Sequence, residues 1–213
     1  MTIDTNNLIE SILASISRID HVKLNDIPNI PLYMDQVTTF MDDRLSVSKR
    51  YPEDKILTKT MINNYAKNNL LPPPTKKKYN REHVLVLIFV YYFKNILSIK
   101  DIEKLLHPIT ENYFSTDQDF DLAAIYEEVY CMEKDCIEVL KDDVRRAYSN
   151  SQHTFSDTGD DNQDFLQLFS FICALSFDVY LKKQIIEELI DQLPSPLDCK
   201  KKKNAEEKGA TGK

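Results

Sequence analysis

Three adjacent lysines lie at the centre of the residues best suited to bind a polyanion. Lys76, Lys77 and Lys78 follow three prolines in the segment LLPPPTKKKYNREHV, residues 70–84. Their ammonium groups repel one another unless an anion lies nearby, and proline cannot occupy a helix interior. Lysine side chains neutralise nucleic-acid phosphates and release counterions. This segment is therefore either a solvated connector or a contact surface for a polyanion.

A second group of polar side chains comes just before the prolines. Thr58 is a suitable N-cap, and Met61, Ile62 and Tyr65 form the apolar face of a short predicted helix. The opposite face carries Lys59, Thr60, Asn63, Asn64 and Lys67. Asparagine can pair bidentately with adenine in the major groove of DNA. The two groups together predict a surface that contacts nucleic acid.

The sequence contains no arrangement of residues that indicates catalysis. With only 3 glycines, neither a phosphate loop nor a dinucleotide fingerprint is present. The 4 histidines and 4 cysteines are scattered and form no CxxC pair. Residues 117–128 place acidic residues at calcium-loop positions, but Leu122 replaces the glycine that the loop needs. We therefore predict no enzyme, no cofactor and no metal site.

Composition indicates a helical protein. The scarcity of glycine disfavours hairpin turns and hence a sheet-rich fold, while 42% hydrophobic residues are enough for a core. The longest unbroken apolar run, residues 84–93, is shorter than the ~20 residues that cross a bilayer in a helix. The N-terminus lacks the pattern of a signal peptide. These features predict a cytoplasmic protein that makes no membrane contact.

The net charge of −7 conceals an asymmetry along the chain. Residues 51–106 carry ten basic and five acidic groups, whereas residues 111–192 carry six basic and nineteen acidic groups. Such a division indicates a polyanion partner for the basic part.

Capping residues and apolar spacing predict the helices that must position these groups. Helices are expected within residues 1–27, over residues 34–45, and from Thr58. Asn80 caps a helix that is apolar nearly all round and should be buried. Ser98, with Asp101 three residues later, begins a short helix that ends at Pro108. Two longer helices follow, over about residues 117–148 and 163–193. The expected core positions of the first are Phe120, Ile125, Val129, Met132, Cys136, Leu140 and Val144.

The order of these segments resembles the MerR-like winged helix-turn-helix domain. In that family the helix that reads DNA ends in a Leu-Leu-Pro-Pro motif, followed by a basic wing, a Tyr-Thr-Glu-Glu-Asp-Leu segment and a Leu-Ser-Leu-x-Glu-Ile type segment. Here NNLLPPP matches the first motif, KYNREHV stands where the Tyr-Thr-Glu-Glu-Asp-Leu segment would be, and ILSIKDIEKLL matches the last, all within residues 32–106. The resemblance is closest to a bacterial domain-of-unknown-function family built on this module. Thr60 and Asn63 stand where the family usually has arginine.

Together, the predicted helices and the resemblance give an all-α fold with four parts. An N-terminal helix over residues 1–27 precedes a MerR-like winged helix-turn-helix domain over 28–110. An acidic helical bundle over 111–193 and a charged, disordered tail over 194–213 complete the chain. The residues expected to face the DNA groove are Thr58, Lys59, Thr60, Asn63, Asn64 and Lys67. The residues expected to hold the DNA backbone are Lys76, Lys77, Lys78 and Tyr79.

The implied function is that of a bacterial transcriptional regulator that binds double-stranded DNA. The alternative is a protein–protein adaptor that uses the winged fold without DNA, which the overall acidity favours. Symmetric operators are usually bound by dimers. We therefore expect a homodimer formed through the C-terminal helices, mainly the apolar helix over residues 163–193.

Overall fold

The described part of the chain is mainly helical, and its one small sheet has two short strands. The computed structural model describes residues 5–17, 21–116, 118, 120–156 and 162–194. The helices are α1 (Thr5–Ile16), α2 (Met34–Arg44), α3 (Lys59–Lys67), α4 (Arg81–Phe93), α5 (Ile99–Tyr113), α6 (Leu122–Cys131), α7 (Glu133–Ser151) and α8 (Gln163–Asp191). Strands β1 (Leu32–Tyr33) and β2 (Lys78–Tyr79) pair antiparallel, and 3₁₀ turns cover Leu24–Asp26 and Ser46–Ser48. The all-α prediction is confirmed.

Three helices begin where the sequence predicts a cap. The Thr58 hydroxyl accepts a hydrogen bond from the Met61 amide at 3.2 Å. The Asn80 amide oxygen accepts from the His83 amide at 3.1 Å, and Ser98 Oγ accepts from the Asp101 amide at 3.2 Å. Each side chain satisfies a backbone donor that the first helical turn leaves unpaired.

Helix α4 forms the centre of its core, as its apolar sequence predicts. Every residue from His83 to Tyr91 is buried, and α4 contacts both α5 and β2. Full burial of one such aliphatic side chain contributes about 1.5–3 kcal/mol. The position of α4 is therefore strongly determined by packing.

Helix α5 is longer than predicted, because Pro108 lies inside it instead of ending it. Side chains beyond the proline support the following turn. The Thr110 hydroxyl donates to the Leu106 and His107 carbonyls at 3.1 Å each, and the Asn112 amide donates to the Pro108 carbonyl at 2.7 Å. These bonds explain why the helix continues to Tyr113.

The single helix predicted over about 117–148 is interrupted, and most of its predicted core positions are exposed. Helix α6 ends at Cys131 and α7 begins at Glu133, with Met132 between them. The buried pair of α6 is Leu122 and Tyr126, each 0% exposed. Several predicted core residues are instead exposed: Phe120, Val129, Met132, Cys136 and Leu140. Ile125 is partly buried and Val144 packs against the small core of its own unit, but the fully buried side chains of α6 are those of Leu122 and Tyr126.

The chain divides into two compact units, one formed by Met1–His21 with Glu128–Gln184 and one by Val22–Glu127 with Ile185–Lys213. These bounds differ from the predicted domains, since residues 111–127 group with residues 22–110. Within the second unit, the Tyr126 hydroxyl donates to the Val22 carbonyl at 2.7 Å. The predicted tail, apart from Pro194, lies outside the described residues.

The first unit has its own small core. Ile9 and Leu13 of α1 are buried with Phe171 of α8. Partly buried residues packed against them are Val144, Ala147, Tyr148, Leu168 and Leu175. Arg145 donates two hydrogen bonds to Glu10, at 3.1 Å each, and this guanidinium lowers the pKa of the Glu10 carboxyl. Helix α7 therefore joins α1 and α8 through apolar packing and an exposed ion pair.

Helix α8 combines length with an unusually apolar sequence. Among the described helices of 18 residues or more, it alone is long and apolar enough to cross a membrane by length and composition. Only 11% of its most apolar window is buried within the protein. The residues that the structure describes therefore leave most of the apolar surface of α8 uncovered.

Candidate nucleic-acid interface

Helix α3 presents a polar face and buries an apolar one, as predicted. Ile62 and Tyr65 are 0% and 4% exposed, and burial raises the pKa of the Tyr65 phenol. The exposed side chains are Lys59, Thr60, Asn63, Asn64 and Lys67. Thr58 is only partly exposed because its hydroxyl caps the helix. Five of the six residues predicted to face the groove are therefore exposed.

The end of α3 explains the Leu-Leu-Pro motif in structural terms. Asn69 adopts φ 55°, and the Leu70 amide donates to the Tyr65 carbonyl at 2.9 Å. This is a Schellman ending, in which an αL residue closes the helix and an apolar residue beyond it packs back. Leu70 and Leu71 are 0% and 2% exposed. The motif thus anchors the chain to the core before the prolines direct it away.

Residues 75–78, which include the three lysines, form a tight hairpin-like turn that we call the lysine turn. The Lys78 amide donates to the Thr75 carbonyl at 3.0 Å, while Lys76 and Lys77 have φ 52° and 63°. Positive φ at both central positions is the requirement of a type I′ turn, which favours Asn-Gly. A residue with a Cβ is disfavoured there by about 1–2 kcal/mol. Two lysines are therefore held at the turn against their backbone preference.

Tyr79 does not belong to this surface, contrary to the sequence prediction. Its side chain is 3% exposed, it pairs with Leu32 across the β1–β2 ladder, and burial raises the pKa of its phenol. Strand residues alternate between the two faces, so an outward Lys78 directs Tyr79 inward. The role of Tyr79 is to anchor the turn to the core.

Two residues that sequence reasoning missed connect the lysine turn to α3. The Lys78 ammonium lies 5.0 Å from the centroid of the Tyr33 ring, and Lys59 forms an ion pair with Asp35. Tyr33 and Asp35 are two residues apart, at the start of α2. The lysine turn and the N-terminus of α3 therefore lie beside the same short segment. No local signal reveals this, because the 33–78 contact joins distant parts of the sequence.

The charge on this surface is mixed near α2 and positive farther away. Asp42 and Asp43 line an open groove of about 470 Å³ with Lys55 and Lys59. A hydrogen bond from Lys49, at 2.8 Å, lowers the pKa of the Asp42 carboxyl. In contrast, Lys67, Lys76 and Lys77 form no ion pair with any other residue that the structure describes.

His83 lies behind the lysine turn and supports its strand. Its ring meets Tyr79 edge-on, with centroids 5.4 Å apart, and Phe114 at 4.8 Å. The ring Nδ1 accepts from the Asn80 amide at 3.1 Å, completing the cap of α4. Burial lowers the pKa of His83, a shift that the carbonyls of Pro73 and Pro72 and the carboxylate of Glu82 oppose. His83 is thus a neutral packing group.

We expect His83→Gln to reduce the acid sensitivity of the folded protein. Burial places the pKa of folded His83 below its ordinary value of 6.5, so the unfolded state binds more protons in acid. The free energy of unfolding should therefore fall as the pH drops below about 6.5. Glutamine keeps a capping acceptor at the third helical position but does not titrate. Urea unfolding at several pH values measures the difference.

The exposed His153→Gln variant is the matched control and should keep the wild-type pH profile. If the free energy of unfolding of His83→Gln fell with pH as steeply as that of the wild type, His83 would not be the source of the acid sensitivity.

The comparisons place this site within a family. The model of the family described as "Domain of unknown function (DUF1836)" matches residues 22–129, which include α2, α3, the lysine turn, α4 and α5. No curated protein and no solved structure matches the chain. The match covers just over half of the 213 residues. The chain therefore belongs to the DUF1836 family, as the predicted likeness to a family of unknown function anticipates.

Proposed function

We propose that this protein binds double-stranded DNA through a MerR-like winged helix-turn-helix and acts in the cytoplasm as a transcriptional regulator. The observation that carries the proposal is the pair of exposed lysines, Lys76 and Lys77, held at positive φ beside a helix with an exposed polar face. A strained backbone conformation persists only where the surrounding contacts hold it in place, and such positions are often found at functional sites. Unpaired lysines at such a position match a phosphate-binding role.

The dimensions of α3 suit the major groove. Its nine residues span about 13 Å at 1.5 Å per residue, against a groove about 12 Å wide. Asn63 and Asn64 occupy adjacent exposed positions and would contact base edges. Lys59, Lys67 and the three turn lysines would contact phosphates, which position the protein without reading sequence. Thr58 would act indirectly, by fixing the start of the helix.

The connection between α2 and α3 is long for a helix-turn-helix, but it is well anchored. Fourteen residues separate Arg44 from Lys59, whereas the usual turn has three or four. Ile56 and Leu57 are 2% and 4% exposed, and the Lys94 ammonium donates to the Ile56 carbonyl at 2.7 Å. Burial lowers the pKa of Lys94. This anchoring supports a fixed orientation of α3 despite the longer connection.

A second candidate function is a protein–protein adaptor, favoured by the acidic residues beside α3. Asp35 pairs with Lys59, and Asp42 and Asp43 line the neighbouring groove. Carboxylates at this position would repel a phosphate backbone. A partner with a basic segment would fit the groove instead. The two candidates require different charges. DNA binding would require the lysines of the turn, whereas binding of a basic partner would require the aspartates of α2.

Selection from a random duplex library tests the proposal directly. The full chain should enrich a defined sequence at low salt, and its affinity should fall steeply as salt rises. Asn63→Ala and Asn64→Ala should change the enriched sequence, at a cost of about 1–3 kcal/mol in discrimination at the affected base pair. High-throughput sequencing of the bound fraction measures both effects.

Asn68→Ala is the matched control, because this exposed asparagine donates to the Asn64 carbonyl at the end of the helix. It should leave the enriched sequence unchanged. A wild-type chain that retains no duplex at low salt would refute DNA binding and leave the adaptor as the better candidate.

A further inference from the structure

Helix α8 carries an exposed apolar stripe with the spacing of a helix-pairing interface. Phe165, Phe169, Ile172, Ser176 and Val179 follow one another at steps of four and three residues, and we call these five residues the α8 seam. Four of them are apolar and exposed, with Phe165 at 65%, Phe169 at 53%, Ile172 at 52% and Val179 at 58%. Alternating steps of four and three are the a and d spacing of a coiled coil.

The seam is distinct from the face that α8 already uses. Gln167 and Phe171 are buried, and the Gln167 amide donates to the Gln152 and Thr154 carbonyls at 2.9 and 3.1 Å. Phe171 packs edge-on against Tyr148, with centroids 5.4 Å apart. At 100° per residue these positions lie about a quarter turn or more from the seam. Leu168 and Leu175, which pack against the same core, lie between the buried face and the seam. The described residues of the first unit therefore hold one face of α8 up to the border of the seam and leave the seam itself exposed.

We propose that the α8 seam docks on the same seam of a second copy, with the two helices antiparallel about Ile172. In this arrangement Ile172 meets Ile172, Phe169 meets Ser176, and Phe165 meets Val179. Large side chains then face smaller ones, as in well-packed cores. The interface is two-fold symmetric, which is the usual form of a homodimer. This proposal does not rest on DNA binding.

Ser176, the polar residue of the α8 seam, can be buried in an interface that excludes water. The Ser176 hydroxyl donates to the Ile172 carbonyl of its own helix at 2.8 Å. Its hydrogen bond is therefore made before docking, and burial leaves no unpaired donor. Its small size also makes room for the phenylalanine ring of the partner helix.

A parallel arrangement fits less well. It would stack Phe165 on Phe165 and Phe169 on Phe169, and would place Ser176 against Ser176 with space between them. The next seam position is Lys183, and a parallel pair would bring two lysines together. Antiparallel helices avoid this and also align their macrodipoles favourably.

The area of the seam is sufficient for association. Aromatic side chains bury 150–250 Å² each when fully covered. With more than half of Phe165, Phe169, Ile172, Val179 and the adjacent Tyr180 exposed, docking would bury on the order of 500 Å² per copy, or about 1,000 Å² in total. Specific interfaces begin near this size. A lipid occupant fits less well, because the opposite face of α8 would have to leave the core of its own unit.

Sedimentation equilibrium of matched variants tests the proposal. We expect the full chain to be a dimer at tens of micromolar. Phe169→Glu should raise the dissociation constant by about a hundredfold, because it would bury a charge in the seam. Phe177→Glu is the control, since Phe177 is 66% exposed on the same helix but lies about a third of a turn away from the seam. It should leave the dimer intact.

Disulfide trapping then tests the antiparallel register, in a variant whose four native cysteines are replaced by serine. Mixing Phe165→Cys with Val179→Cys should give a crosslinked heterodimer, whereas Phe165→Cys alone should not crosslink. A crosslink of Phe165→Cys with itself would overturn the antiparallel arrangement. A monomeric full chain, including one that cosediments with vesicles of neutral and anionic phospholipid, would overturn the dimer. So would a Phe169→Glu chain that remains dimeric or a Phe177→Glu chain that dissociates equally.

Discussion

Replacing Lys76 with asparagine and Lys77 with glycine should stabilise the folded protein and weaken its binding to DNA. Both positions have positive φ, at 52° and 63°, where asparagine and glycine are the favoured residues of a type I′ turn. The relief of backbone strain should raise the free energy of unfolding by about 1 kcal/mol. Two phosphate contacts would be lost at the same time.

The loss of binding should show most clearly in its dependence on salt. Each phosphate contact contributes about 0.9 to the slope of the logarithm of affinity against the logarithm of salt concentration. The double variant should therefore reduce that slope by about 2. Fluorescence anisotropy with a labelled duplex at several salt concentrations measures the slope, and urea unfolding measures the stability.

Two controls separate charge from backbone strain. Lys76→Ala with Lys77→Ala removes the same charges but keeps a Cβ at both positions, so it should weaken binding without increasing stability. Lys182→Ala removes a lysine that already pairs with Asp178 at 2.8 Å and should not change the salt slope. If the Asn-Gly variant gains stability and binds DNA as tightly as the wild type, the lysine turn does not contact phosphate.

Local signals predicted much of the helical framework. Thr58, Asn80 and Ser98 each cap a helix where expected, because capping depends on residues only three apart. The buried face of α3 and the complete burial of α4 also follow from apolar spacing. These features could be predicted because short stretches of sequence determine them.

The features that sequence reasoning missed depend on distant residues or oppose local preference. The strand pairing that buries Tyr79 joins it to Leu32, and the Lys78–Tyr33 contact joins residues that are similarly far apart in sequence. Positive φ at Lys76 and Lys77 runs against the preference of lysine. Near α6, the sequence predicted Phe120 in the core, whereas tertiary packing buries Leu122 and Tyr126 instead.

Tyr126→Ala should destabilise the family domain by about 3–5 kcal/mol, the usual loss for truncating a buried aromatic residue. The side chain is 0% exposed, and its ring meets Phe89 of α4 edge-on with centroids 5.6 Å apart. Its hydroxyl donates to the Val22 carbonyl at 2.7 Å. Truncation would therefore leave a cavity against α4 and remove a bond that links the two ends of the matched region.

Two further variants separate these contributions and test whether Phe120 belongs to the core. Tyr126→Phe keeps the ring but leaves the Val22 carbonyl without its donor, so it should cost about 1–3 kcal/mol. Phe120→Ala removes an aromatic side chain that is 53% exposed and should cost less than about 1 kcal/mol, because little apolar surface would return to water. Urea unfolding of the full chain, followed by circular dichroism, measures all three. Equal losses for Phe120→Ala and Tyr126→Ala would mean that the Phe120 side chain is as important to the core as that of Tyr126. A larger loss for Tyr126→Ala than for Tyr126→Phe and Phe120→Ala would mean that residues beyond 110 complete the core behind α4. The surface formed by α3 and the lysine turn would then depend on those residues for its stability.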